Sequence, residues 1–170
     1  EVRLRTSELV KQKEEVQRSY ENTKLLSEIG KGIAAELSIP DIISKVYHNA
    51  NTLMDASVFG IAIYRPGNED LYFSGAMEKG EKLGDFAYSL KEEKIASRCF
   101  NNSEEIVIND WQNEFTQYVA KDYEASEGEM PESMIYLPLI SKGNKIGVIT
   151  VQSFERKIYS EYHLNILRTL

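Results

Sequence analysis

The chain has 170 residues, 42% of them hydrophobic, and a formal net charge of −7. That is enough to bury one ordinary core and carry an appendage, and the sign is wrong for a nucleic-acid surface or an anionic membrane as partner. A single cysteine rules out an internal disulfide and a Cys-rich metal site and suits a reducing compartment, while no apolar run approaches the ~20 residues needed to span a bilayer. The charged opening residues contain no apolar signal-peptide region, and a start on Glu1 without Met reads as a piece of something longer.

Residues 1–30 hold six acidic and six basic side chains, so this segment is neutral and the remainder carries the whole negative charge. Glu1/Arg5 and Glu14/Arg18 are spaced i,i+4 in the favourable order. Val2, Leu9, Val16 and Thr23 recur every seven residues, a seam too narrow to bury a helix in a globular core. The expectation is an N-terminal signalling helix over 1–30 that pairs as a parallel coiled coil with a second copy, in preference to a solvated single helix. Lys13 and Ser27 fall at core-like positions of that heptad.

A broader apolar face, Leu25, Leu26, Ile29, Ile33 and Leu37, continues the helix towards the domain expected over 31–170. Ser38-Ile39-Pro40-Asp41 then carries the signature of a new helix start: a capping hydroxyl, a proline in the first turn and an acid at the positive end. Ile42, Ile43, Val46, Tyr47, Ala50, Leu53 and Met54 form a stripe at helical spacing.

Beyond Asp55 the period changes to that of strands. SVFGIAIYR (57–65), DLYFSG (70–75) across a Pro66-Gly67-Asn68 turn, and GDFAYSL (84–90) are strand runs. KEEKIASRCFNN (91–102) is a short helix, EEIVIND (104–110) a strand, WQNEFTQYVAKDY (111–123) an amphipathic segment and ASEGEMPE (125–132) a polar loop. Residues 133–154 read as a hairpin around Lys142-Gly143-Asn144. Ser160 starts a last helix with Leu164, Ile166, Leu167 and Leu170 on its apolar face; no cap follows, so the chain is expected to stop in mid-helix.

This order predicts an α+β fold: a central antiparallel sheet of about six strands, terminal helices packed on one face, and short helices and loops over a pocket on the other.

Those residues carry a family resemblance. Ser133, Pro138-Leu139, the Lys-Gly-Asn turn, Ile146-Gly147-Val148-Ile149 and Tyr159-Ser160 before a closing helix resemble the end of a GAF domain, a PAS-like fold. LLSEIGKGIAAELSIPDIISKVY and ASVFGIAIYR resemble its beginning. TSELVKQKEEV is similar to the signalling helices that precede GAF domains in bacterial sensors. The whole is most similar to receptors of the Bacteroidetes type, commonly followed by a histidine kinase, nucleotide cyclase or serine phosphatase. The resemblance implies small-molecule sensing or relay through a dimer in two-component signal transduction, in the cytoplasm or on the cytoplasmic part of a membrane-bound receptor, and names no cofactor.

Chemistry that relatives of this fold carry out finds little support in the residues. Sulfoxide reductases of the fold use several cysteines, whereas only Cys99 is present, followed by Phe100 where a bilin-binding Cys is commonly followed by His. Asn144-Lys145 lies before the last strand rather than after it, so it does not match the cyclic-nucleotide motif. His48 and His163 have no partner at metal-ligand spacing, and no G-x-S-x-G elbow or G-x-x-x-x-G-K-[ST] loop occurs.

The candidate ligand-binding residues are Tyr88, Asp110, Trp111, Phe115, Tyr118 and Tyr136, aromatic and polar groups expected around the pocket. Asp110 has a rival role as the cap of the helix after it, Trp111 as a core plug, and the tyrosines as an aromatic core. The expected function is a non-catalytic sensory module, with itself, an unknown small molecule and an output domain as partners. A ligand-free dimerisation module and an enzyme of the same fold are the rivals.

Overall fold

The computed structural model describes residues 39–119 and 129–169, together with Lys13 and Gln17, both helical. The chain separates into Glu1–Ser38 and Ile39–Leu170, and every strand among the described residues belongs to the second unit. The seam expected over 1–30, its continuation through Leu37, the Ser38 cap, Leu170 and residues 120–128 lie outside the described residues.

Helix α1 (Ile39–Leu53) carries Pro40 in its first turn, where no intrahelical N–H is lost, and Asp41 at its positive end. Ile43, Tyr47, Ala50 and Met54 are buried. The apolar stripe is narrower than its sequence suggests: Ile42 and Leu53 are 45% and 50% exposed. At ~100° per residue they fall with Val46 on a second stripe, turned from the buried one by roughly 80°.

Strands β1 (Val58–Tyr64), β2 (Asp70–Phe73), β3 (Met77–Glu78), β4 (Glu81–Lys82) and β5 (Phe86–Ser89) precede helix α2 (Ile95–Asn102). Strand β6 (Ile106–Ile108), helix α3 (Trp111–Glu114) and a 3-10 turn (Phe115–Gln117) follow. The long hairpin β7 (Ser133–Ser141) and β8 (Asn144–Ser153) leads to helix α4 (Glu161–Thr169). Of the described residues 111–119 in that segment, only Trp111–Glu114 are α-helical.

All eight strands form one antiparallel sheet in the order β4-β3-β1-β8-β7-β6, with β2 and β5 joined to β1 beside β3. The outer edge of β1 forks. Val58 and Phe59 pair with Glu78 and Met77, while Ala62, Ile63 and Tyr64 pair with Phe73, Tyr72 and Leu71. Between the prongs the chain turns at Gly75, whose φ of +80° is open to glycine at little cost.

The six strands expected from sequence are all present. The other two, β3 and β4, are two residues each and are joined by Lys79-Gly80, with φ of 49° and 86°. Lys142-Gly143, between Ser141 and Asn144, has φ of 50° and 79°. Positive φ at both central residues matches a two-residue turn to the strand twist.

Alternation along the strands gives the sheet two apolar faces. On one, Phe59, Ile135, Leu137, Ile149 and Val151 meet α1 and α4 through Tyr47, Ala50, Leu164 and Leu167. On the other, Ala62, Met134, Tyr136 and Val148 meet Phe73, Ile95, Cys99, Phe100 and Trp111. Gly147 has no room for a side chain, since a Cβ there would lie 2.0 Å from the Ala62 carbonyl oxygen.

Candidate functional site

A cavity of about 290 Å³ opens on the second face, where β1 forks. This lies at the small end of the range for ligand sites, ~300–1,000 Å³. Gly60, Tyr136, Thr150 and Gln152 form its floor, and Phe73, Phe86 and Tyr88 one wall, with Met130 and Pro131 opposite. A Cβ on Gly60 would come within 3.1 Å of the Phe73 ring, so glycine lets that ring lie low over the sheet. Phe73 and Phe86 stack with centroids 4.8 Å apart and planes 13° apart, and Tyr88 meets Phe73 edge-on at 5.4 Å.

The floor is polar within an apolar surround. Gln152 Nε2 donates to Tyr136 Oη at 3.0 Å and to Thr150 Oγ1 at 3.2 Å. The three groups are neutral, and each amide or hydroxyl can both donate and accept. Glu78 and Glu129 line the cavity, and Lys79 pairs with Glu129 at 3.3 Å.

Two of the six candidate residues, Tyr88 and Tyr136, lie in the cavity wall. Trp111 and Phe115 sit in the second-face core, rings 5.7 Å apart, and do not line the cavity. Tyr118 lines a shallow surface groove with Arg98 5.2 Å above its ring. Burial, followed by the Glu114 charge, raises its hydroxyl pKa.

Asp110 occupies the N-cap position of α3, but its side chain makes no capping bond, which corrects the capping role expected of it. Glu114 Oε1 accepts from the N–H groups of Asp110 (2.9 Å) and Asn109 (3.3 Å) instead. The Asn113 N–H, a usual target of a capping side chain, donates to the Asp110 backbone carbonyl instead, and the Trp111 N–H donates across to the Glu132 carbonyl. Asp110 Oδ1 is buried without a hydrogen bond among the described residues.

The remaining floor and wall, Gly60, Phe73, Phe86, Thr150 and Gln152, are not among the candidates drawn from sequence. A signal for two of them exists: Thr150 and Gln152 alternate with the apolar Ile149 and Val151, putting polar groups on a face that ought to be core.

Cys99 is buried on α2 and does not line the cavity. Burial, reinforced by the Glu104 and Glu105 carboxylates, pushes its thiol up to about 12, so almost no thiolate forms near neutrality. Each histidine bonds locally, His48 Nδ1 to the Ser44 carbonyl one turn back in α1 and His163 Nδ1 to Ser160 at the start of α4. Among the described residues no group of three or more His, Cys, Asp or Glu side chains is placed to hold a metal ion.

The two faces are connected at Asn109, just beyond β6. Its amide donates to the Tyr159 carbonyl (2.8 Å) and accepts from the Tyr159 N–H (3.1 Å). Its own carbonyl accepts from Lys157 N–H and Ser133 Oγ. Tyr159 Oη donates to the Asp55 carbonyl at 2.7 Å, and Ser153 Oγ bonds the Asp55 carboxylate. Burial, then the Asp55 charge, raises the Tyr159 hydroxyl pKa. The segment that ends the cavity-side layer, the start of α4 and the end of α1 thus share one hydrogen-bonded knot.

An open antiparallel sheet with α1 and α4 on one face and a cavity on the other defines a class of α+β domain. The chain belongs to the GAF domain family, whose model matches residues 36–170. Among curated proteins it resembles the formate hydrogenlyase transcriptional activator FhlA of Escherichia coli (strain K12), 19% identical over 155 residues. That match covers 90% of this chain but only 22% of the activator, so the chain spans about a fifth of its relative's length. Among solved structures it resembles the GAF domain of an Acinetobacter phosphoenolpyruvate-protein phosphotransferase, with TM-score 0.65, 17% identity, and 87% and 86% of the two chains covered. It also resembles the free methionine-R-sulfoxide reductase of Neisseria meningitidis solved with its substrate, with TM-score 0.53, 16% identity, and 81% and 78% covered. Likeness at this identity shows the shared fold. No helix among the described residues is long and apolar enough to cross a membrane.

Proposed function

We propose that the chain is a non-catalytic sensory module that takes a small molecule in the cavity and relays its occupancy through the terminal helices of a dimer to an output domain. A histidine kinase of bacterial two-component signalling is the favoured output. The observation that carries the reading is an open cavity on the sheet face opposite α1 and α4; Asn109, at the end of β6, is bonded to Tyr159 just before α4. A ligand that fits one arrangement of the cavity layer better than another shifts the population between them, by as much as its affinities differ. The exposed stripe of Ile42 and Leu53 on α1, with Tyr162 exposed on α4, supports a parallel homodimer through these helices. The FhlA resemblance supports a place within a longer signalling protein. A buried, protonated Cys99 outside the cavity gives a reductase no nucleophile.

Native mass spectrometry of the purified chain, followed by release and identification of any bound fraction, tests this reading. A dimer carrying extra mass is expected. A clean monomer that binds nothing from a metabolite panel would sink both halves of it.

A further inference from the structure

The geometry points to a small organic cation with a flat body as the occupant of the cavity, which rests on the sensory reading and specifies its ligand. Glu78 is half-buried, lines the cavity, and has no ion pair among the described residues. Its neighbour Met77 packs in the helix-covered core, so strand alternation turns Glu78 to the cavity face. No Lys, Arg or His lies among the described lining residues, and the other charged one is a second carboxylate, Glu129.

A phosphate or carboxylate entering here would meet the Glu78 carboxylate with no Lys, Arg or His among the described lining residues to face it, and Lys79 beside it is already paired with Glu129. A protonated amine meets the Glu78 carboxylate, and its flat body meets the aromatic wall of Phe86 and Tyr88, backed by the buried Phe73 ring stacked on Phe86. The neutral floor of Tyr136, Thr150 and Gln152 matches a hydroxyl or amide edge at the far end.

The test is calorimetric titration of the full 170-residue chain with three probes of one shape and different charge: tyramine, its neutral alcohol analogue tyrosol, and 4-hydroxyphenylacetate. Tyramine is expected to bind about tenfold more tightly than tyrosol, the usual margin of a charge-assisted over a neutral hydrogen bond, and the anion not measurably. Glu78→Gln should bring tyramine down to the tyrosol level and leave tyrosol unchanged. Should that variant not fold, the charge series on the unsubstituted chain decides alone. Equal or tighter binding of tyrosol or the anion, no binding of tyramine, or indifference to Glu78→Gln each overturns the proposal. A neutral or anionic molecule recovered by native mass spectrometry would overturn it while leaving the sensory reading standing. Failure of every probe together with an empty cavity on purification would remove both.

Discussion

On one face of the sheet Phe59, Ile135, Ile149 and Val151 are sealed under α1 and α4; one residue along the same strands, Gly60, Tyr136, Thr150 and Gln152 stand around a cavity. The helix-covered face fills its space with branched side chains and two amphipathic helices of fifteen and nine residues. The cavity face is covered by an eight-residue helix, a four-residue helix, a 3-10 turn and loops. Short elements make few backbone bonds of their own, so this layer depends on side chains reaching into the sheet. Close packing resists change, and a loosely filled layer accommodates it. The proposed sensory reading puts response on the cavity face, where the packing leaves room.

Substitutions on the two faces should separate these roles. The largest effect is expected at Ile135, fully buried under the helices: Ile135→Ala should cost about 4 kcal/mol in urea unfolding, the transfer and cavity terms together. Phe86→Ala, on the cavity wall and only half-buried, should cost less than about 2 kcal/mol and weaken ligand binding. Equal costs would erase the distinction. Next comes the connection between the faces. Asn109→Ala removes both bonds to Tyr159 and leaves its N–H and carbonyl to find others; a loss of about 2 kcal/mol is expected, with faster hydrogen exchange at the start of α4. Exchange confined to the cavity layer would argue that the knot carries nothing between the faces.

The pH dependence sharpens the cavity side. The Cys99 thiol is raised from 9.0 to about 12 by burial, so folding favours its protonated form. Its contribution is fully present below pH 9 and is lost as the pH rises from 9 towards 12. Cys99→Ala should flatten the decline of stability over that window in denaturation curves taken at successive pH values. The smallest effect is expected at the surface: Lys91→Ala breaks an exposed pair with Glu69 and should change stability by less than about 0.5 kcal/mol.

Much of the helix-covered face is legible in the sequence, because a helical stripe such as Ile43, Tyr47, Ala50 and Met54 and an alternation such as Ile135, Leu137 and Leu139 have only one economical use. The cavity is less so. Tyr88 and Tyr136 stand out as aromatic residues in the middle of the chain, but Trp111 and Phe115 share that property and sit in the core. What separates them is register: which face a strand residue occupies, and where β1 changes partner, are tertiary facts. Strands β3 and β4 leave no mark in the sequence because two residues cannot display a period. Asp110 has the right position for a cap, yet its side chain makes no capping bond, and the Asn113 and Glu114 N–H groups donate to its backbone carbonyl.

The fork in β1 has a consequence for how such a domain can change over generations. Its two prongs, β2 with β5 and β3 with β4, end in turns at the periphery, and both contribute to the cavity while pairing with β1 alone in the central sheet. A residue inserted or exchanged in either prong remodels the mouth without disturbing the β1–β8–β7 registers on which the terminal helices rest. Descendants of one ancestral sequence can therefore reshape the cavity while inheriting the same helix-bearing sheet, with cavity and scaffold varying as separately heritable parts.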